Sequence, residues 1–182
     1  PMGGMNEVAH AFSILALDNG VQILADREVD NISVNNNLVK ELTTKKGESF
    51  RSSYVLASAD YKHIEDLLPI NKRSYPEAYW EKQKLSPSCL LFYIGVNKKI
   101  PGLLHHNLFF DADYQKHVKE IFDTNIWPES PLFYVCAPSK TDPGVAPEGM
   151  ENLFILVPVS PGMKDSERQR EQVFKNIISV NI

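Results

Sequence analysis

The chain has 182 residues, of which 43% are hydrophobic and 23% charged, and its formal net charge is −4. This is ordinary globular composition, long enough for a substantial core, and it excludes a disordered or low-complexity protein. The lysines and arginines are scattered without a basic stripe, which excludes a nucleic-acid surface, and no apolar run approaches the ~18 residues of a membrane-spanning helix.

The chain opens with "PMGG" and runs directly into an amphipathic helix, because Met5, Val8, Phe12 and Leu15 recur at steps of three and four. Gly20 stands where a C-terminal helix glycine belongs. "VQILA" (21–25) reads as a short strand and "REVDNISV" (27–34) as a second. The triplet Asn35-Asn36-Asn37 reads as a turn, since asparagine tolerates left-handed backbone. "LVKELTT" is then a strand, "KKGE" a turn and "SFRSSYVLASAD" a strand ending near Ala57. Residues 21–59 are thus expected to form a strand followed by a β-meander.

Beyond Asp60 the texture becomes aromatic. "DYKHIEDLLP" reads as a helix stopped at Pro69, and "SYPEAYWEKQK" as a helical piece with Tyr79 and Trp80 packed. "PSCLLFYIGV" (87–96) and "LLHHNLFF" (103–110) are strongly apolar strands. Asp111 or Asp113 can cap the helix "DYQKHVKEIFD", with Tyr114, Val118, Ile121 and Phe122 on its inner face. "LFYVCAP" (132–138) and "LFILVPV" (153–159) are two more strands, joined by the stiff, Pro- and Gly-rich loop "SKTDPGVAPEG". A last helix starts near Asp165, with Val173, Phe174, Ile177 and Ile178 inward. The fold class expected is α+β, with a boundary near residue 60: 1–60 holding a helix, a strand and a meander, and 61–182 holding a mixed or antiparallel aromatic-rich sheet with helices. The abrupt apolar helix at one end and the helix without a stop signal at the other suggest a piece of something larger.

Few residues offer chemistry. Neither a phosphate-binding glycine loop nor a nucleophile elbow is present. His105 and His106 are adjacent, so on a strand they would face opposite ways and make poor joint metal ligands; no metal site is expected. His63 and His117 are placed on helix surfaces by their neighbours. Asp142, Glu148 and Glu151 lie near the stiff loop, but a turn with Asp142 capping ahead of Pro143 is preferred to an acid–base pair. Cys89 and Cys136 sit in apolar runs and read as buried thiols in a reducing compartment. The aromatics carry more. Phe92/Tyr93 and Phe109/Phe110 supply rings to both faces of their strands. Such a sheet is covered on both faces, or covered on one and open on the other to an apolar ligand.

Five words, in order, carry a resemblance: "PMGGM", "GVQILADREVDNI", "YVLASAD", "SCLLFYIGVNKKIPGLLHHNLFF" and "YVCAPSKTDPGVAPEGMENLFILVPV". The chain resembles the central part of carotenoid desaturases of the bacterial phytoene desaturase type, within the amine-oxidase-like FAD oxidoreductases. The first two words are shared by many FAD oxidoreductases; "GLLHHNLFF" and "SKTDPGVAPEG" are the specific ones. The resemblance implies that residues 1–60 belong to an FAD-binding domain and 61–182 to a substrate domain. It assigns Gly3 and Gly4 to close backbone approach beside flavin or polyene, the Val29 backbone to the adenine end, and Ala57, Ser58 and Ala59 to the lining near the flavin. It makes Phe92, Phe110 and Tyr134 candidates for lining an apolar polyene tunnel, and it points to no catalytic residue in this piece.

The implied activity is desaturation of a C40 polyene, with an allylic hydride passing to flavin and a proton lost from the next carbon. The glycine-rich motifs that complete the family's FAD site are not among these residues, so this piece alone is expected to bind no FAD and to be inactive. The implied parent enzyme is cytoplasmic and peripheral to the membrane surface that holds its apolar polyene substrate. The piece is expected to self-associate through exposed apolar surface on its first helix and meander. The alternatives are another polyene oxidoreductase (a hydroxycarotenoid desaturase, a carotene isomerase or a retinoid saturase) or a non-catalytic module that binds an apolar ligand.

Overall fold

A computed structural model of the chain describes residues 2–179. They form helices and two antiparallel sheets, an α+β arrangement. The chain divides into two compact units, Ala16–Lys84 and the combination of Pro1–Leu15 with Leu85–Ile182. Helix α1 (Asn6–Asp18) buries none of its residues; its apolar positions, Met5 just ahead of it and Phe12 among them, are exposed.

In the first unit, β1 (Val29–Asn35), β2 (Leu38–Thr44) and β3 (Ser49–Arg51) form a three-stranded meander in sequence order. The expected asparagine turn is there: Asn36 and Asn37 both have positive φ, 48° and 60°, and Asn35 pairs with Leu38 across the two-residue loop. Left-handed backbone at both central positions matches the twist of a hairpin, which is why asparagine occupies them. Two strand expectations fail. Residues 21–25 form no ladder and are exposed, and the third strand stops at Arg51 instead of reaching Ala57. Neither segment pairs its backbone with a strand of either sheet. Below the meander, Asp60 caps α2 (Tyr61–Asp66) by accepting the His63 amide at 3.2 Å, and α3 (Glu77–Trp80) follows. The buried Glu65 carboxylate accepts the Ser74 and Tyr75 amides at 2.7 and 3.1 Å. Those bonds hold Tyr75 against Tyr79, with ring centroids 4.2 Å apart, and Tyr79 in turn meets Trp80 at 5.2 Å.

The second unit is built on a four-stranded antiparallel sheet, β4 (Ser88–Val96), β5 (His106–Phe109), β6 (Phe133–Cys136) and β7 (Glu151–Val159), in the order β4-β7-β6-β5. Strand β7 alternates strictly, with Leu153, Ile155, Val157 and Val159 buried on one face. Phe133 and Val135 from β6 join them, and Val173 and Ile177 of α5 (Glu167–Ser179) cover them. Each fully buried aliphatic side chain contributes ~1.5–3 kcal/mol, so this face carries the core. Ile178, expected inward, is exposed.

Helix α4 (Tyr114–Lys119) is capped by Asp113, which accepts the Gln115 and Lys116 amides at 2.9 and 3.2 Å. It runs into a π-turn, Glu120–Thr124, ended by left-handed Asn125. His117 is a correction: it is buried, not on the helix surface. Its Nδ1 accepts the Leu132 amide at 3.1 Å, and its Nε2 stands 3.3 Å from the Pro158 carbonyl. A carbonyl only accepts, so Nε2 carries the proton and the ring is neutral; burial pushes its pKa down.

Candidate functional site

Among the described residues, no helix covers the other face of the four-stranded sheet as α5 covers the first; α4 and the π-turn only wall a cleft along it. Its residues form two cross-strand rows. One runs Leu91–Leu156–Tyr134–Leu108 and the other Tyr93–Phe154–Cys136–His106. Cross-strand neighbours on one face have Cβ atoms ~4.5–5.5 Å apart, so each row is a continuous strip. The strips are mostly apolar and open: Leu108 is 67% exposed and Tyr93 78%. Tyr93 and Tyr134 flank Phe154 with centroids 5.4 and 6.4 Å away. The sheet is therefore covered on one face and open on the other, the second of the two arrangements its aromatic pairs allow.

Two clefts lie along this face. The first, about 310 Å³, is lined by Leu108, Phe110, Phe122, Tyr134, Leu156 and Pro158 among others. Tyr114 and Phe122, expected on the inner face of their helix, are exposed and line this cleft. The second, about 750 Å³, is lined by Gly4, Met5, His105, His106, Tyr134 and Phe154 among others. Tyr134 lines both.

The sequence candidates separate. Phe110 and Tyr134 are brought together in the first cleft, and Gly4 and Tyr134 in the second. Phe92 is on the covered face, packed on Phe174 at 5.1 Å, and is not brought into either cleft. Gly3 donates its amide to Asp142 at 2.6 Å. Gly4 has φ +88°, and a Cβ built on it would meet no atom within 4 Å, so the rim of the second cleft leaves room for a flat group beside the backbone. Val29 begins β1, half-buried and paired with Thr44; Ala57, Ser58 and Ala59 are exposed and outside regular structure. These four belong to the other unit.

The polar end of the second cleft was missed by sequence reasoning. His105 and His106 do not splay to opposite faces; their ring centroids are 4.3 Å apart. His105 lies at a bend just before β5 starts, so strand alternation does not govern it. Its Nδ1 is 2.6 Å from the Thr141 hydroxyl, and His106 Nδ1 is 2.6 Å from the Tyr134 hydroxyl. His105, His106 and Cys136 gather their ligand-type atoms within 4.8 Å. Burial, then the bond to Cys136, pushes the Tyr134 hydroxyl up to about 12, so it keeps its proton. Each ring has a hydroxyl partner at its Nδ1. Neither cysteine is buried as expected: Cys89 is exposed and Cys136 half-buried, because both stand on the open face.

The carboxylates near the stiff loop do not pair with one another. Asp142 caps its turn as expected, accepting the Gly144 amide at 2.9 Å. Glu151 is buried and bonds Lys140 Nζ at 2.7 Å and the Ile100 amide at 3.2 Å. Burial pushes its pKa up, but Lys140 and the Ile100 amide together bring it below the usual carboxylate value.

The second unit is thus an antiparallel sheet backed by a helix on one face, with a more open aromatic face and two adjoining clefts. No family model matches the chain. It is 37% identical to the carotenoid 3,4-desaturase of Haloarcula japonica over 98% of this chain and 36% of that protein. It is 33% identical to the zeta-carotene-forming phytoene desaturase of Myxococcus xanthus over 87% of this chain and 30% of that protein. To the phytoene desaturase of Fusarium fujikuroi it is 34% identical, over 92% and 29% respectively. The chain belongs to the carotenoid desaturase family, and it spans about a third of the length of these curated relatives.

Proposed function

We propose that this chain is the substrate-binding part, with some of the cofactor-binding part, of an FAD-dependent carotenoid desaturase, and that the open face of its four-stranded sheet is one wall of the polyene site. The observation that carries the reading is the pair of mostly apolar cross-strand rows left open on a sheet whose other face carries the core under α5. A rigid, flat hydrocarbon is bound by area and shape, and an apolar wall excludes the water that would compete with it. Phe110 and Tyr134 would touch the polyene; Phe92 would support the wall from behind. Gly3 and Gly4 would let a flavin edge or the polyene approach the backbone, and Val29, Ala57, Ser58 and Ala59 would belong to the FAD side. Bound FAD would supply the two-electron acceptor for the hydride. Residues 1–60 and 61–182 would then divide as cofactor and substrate parts, and the protein would work peripherally, on the membrane surface that stores its substrate. No helix among the described residues is long and apolar enough to cross a membrane.

A second reading, desaturation at the 3,4 bond of a more unsaturated polyene, takes support from the 37% identity to the Haloarcula japonica protein. Both are tested together. The full-length protein is loaded with FAD and given phytoene or a more unsaturated acyclic C40 polyene in liposomes, and the products are followed by their red-shifted absorbance. Conversion of phytoene supports the first reading, and conversion of only the unsaturated polyene the second. Binding without conversion of either would leave a non-catalytic polyene-binding module and sink both.

A further inference from the structure

The two rows of the open face are mostly apolar, and their polar groups gather chiefly at one place. Of the eight residues in its two rows, His106, Cys136 and Tyr134 are the titratable ones besides Tyr93, and they are mutual neighbours. A hydrocarbon site does not need such a group for binding, and a polar cluster facing an apolar ligand weakens its burial. Desaturation does need one thing that hydrocarbon walls lack, a destination for a proton.

The hydrogen bonds of the cluster engage each ring at Nδ1. The Thr141 hydroxyl stands 2.6 Å from His105 Nδ1 and 3.4 Å from the Pro138 carbonyl. The Tyr134 hydroxyl stands 2.6 Å from His106 Nδ1. A neutral imidazole carries one proton, so with Nδ1–H donating to the tyrosine oxygen, His106 keeps a lone pair on Nε2. His106 is the exposed ring of the two and stands in the same row as Phe154 and Tyr93.

We propose that His106 Nε2 is the proton acceptor of the desaturation, oriented by Tyr134, with His105 as the neighbouring ring that shares the charge. This rests on the reading that the open face holds the polyene. The balance is simple. One C–H bond of the substrate leaves as hydride with both its electrons, to the two-electron acceptor already named. The carbon skeleton is left as an allylic cation. The adjacent C–H bond then breaks heterolytically; its electron pair becomes the new π bond, and its proton goes to His106 Nε2. The imidazolium is held by Nδ1–H donating to Tyr134, and it releases the proton to water between turnovers. The groups facing it are His105, Tyr134, Thr141 and Cys136, with Asp142 also lining the cleft.

The test uses the full-length, FAD-loaded protein. In His106→Ala, turnover should fall ~10²–10⁴-fold, the range of a positioned general base. FAD absorbance should be retained, and polyene affinity, read from the polyene's own spectral shift on binding, should change less than about threefold, since only one of the many groups on the wall is altered. Added imidazole should restore about tenfold or more of the lost rate by taking the vacated place, which rescue of a merely structural role would not do. His106→Gln keeps a donor toward Tyr134 without a base; it should stay folded and equally slow. Independently of activity, nitrogen NMR of histidine-labelled protein should show His106 as the Nδ1–H tautomer. Near-normal turnover in both variants, no imidazole rescue in a variant that binds FAD and polyene normally, or an Nε2–H tautomer would each overturn the assignment while leaving the polyene-wall reading intact. A wild-type protein that converts no polyene would overturn both.

Discussion

The Asp142 carboxylate accepts the Gly3 amide at 2.6 Å, across 139 positions of sequence. Its other oxygen accepts from Gly144 within the stiff loop at 2.9 Å. A turn cap thus doubles as the anchor of the glycine pair at the rim of the second cleft, which Gly4 and Asp142 both line. This is a physical reason for stiffness between two strands. A floppy loop could not hold an acceptor in place for a distant amide, whereas Pro143 removes much of the loop's freedom before folding starts.

Asp142→Ala deletes both bonds. A hydrogen bond to a charged group is worth ~1.5–3 kcal/mol, and Asp142 is buried, so a loss of about 2–4 kcal/mol is expected in urea unfolding. Asp142→Asn keeps one good acceptor and should lose roughly half as much. Amide exchange at Gly3 should quicken in the alanine variant; an unchanged exchange rate there would show that the contact does not form in solution.

His117 sets an acid limit on the second unit. Its folded pKa is lowered by burial, although the Pro158 carbonyl and Glu120 oppose the shift. Below about 6.5, the value of a free histidine, the unfolded chain binds a proton that the fold does not. The unfolded state then binds more protons, so stability falls as pH drops from about 6.5 toward the lowered folded value. Glu151 acts lower on the scale with the same sign: its folded pKa is lowered, so its contribution fades as pH falls from about 4.3. His117→Gln, which can still donate to Pro158, should flatten the midpoint against pH between about 6.5 and 5 while leaving the Glu151 loss in place. A wild-type midpoint that does not move between pH 7 and 5.5 would contradict this assignment.

How far the sequence could be read depends on what each signal measures. The apolar runs of β4 and β7 and the Asn36-Asn37 turn are local, and both appear where the residues predict them. Val21–Ala25 has strand composition, but a strand exists only if another offers an edge, and composition does not report that. His117 was assigned to the surface because its helix neighbours are polar; its real partners, Leu132 and Pro158, come from elsewhere in the chain. The His105–His106 stack was missed for a smaller reason. Alternation applies only within a strand, and β5 begins one residue after His105. The open face was legible as an alternative, since paired aromatics put rings on both sides, but which side a helix covers is decided by Val173 and Ile177 of α5.

Exposed apolar surface on α1 makes self-association of this chain the expected behaviour. Met5, Phe12, Ile14 and Leu17 are all solvent-facing, and the helix buries no residue. This many exposed apolar side chains on one helix exceed the scattered single apolar residues normal on a monomer surface. Light scattering should report a mass that rises with concentration, and Phe12→Glu with Met5→Lys should reduce it without lowering the thermal midpoint by more than a degree or two, as surface changes rarely cost over ~0.5 kcal/mol. A concentration-independent monomer would count against the idea.

Phe92 and Phe110 offer the sharpest comparison, because the same residue type serves opposite faces of one sheet. Phe92 is half-buried against Phe174 and the core under α5, so Phe92→Ala leaves a void there; a loss of about 2–4 kcal/mol is expected, at or below the range for buried phenylalanine. Phe110 is 59% exposed at the edge of the first cleft, so Phe110→Ser should change stability by less than about 1 kcal/mol. The order reverses for ligand. In the full-length protein, Phe110→Ser should weaken polyene binding by roughly the worth of one ring face, ~0.5–1.5 kcal/mol or about 2- to 12-fold, with FAD content unchanged. Phe92→Leu, which keeps most of the buried volume, should bind polyene as well as wild type. Urea midpoints and polyene titrations on the same four proteins decide the matter. If Phe110→Ser binds polyene normally while Phe92→Leu does not, the wall of the site is the face under α5 rather than the open one, and the functional reading of this sheet is reversed.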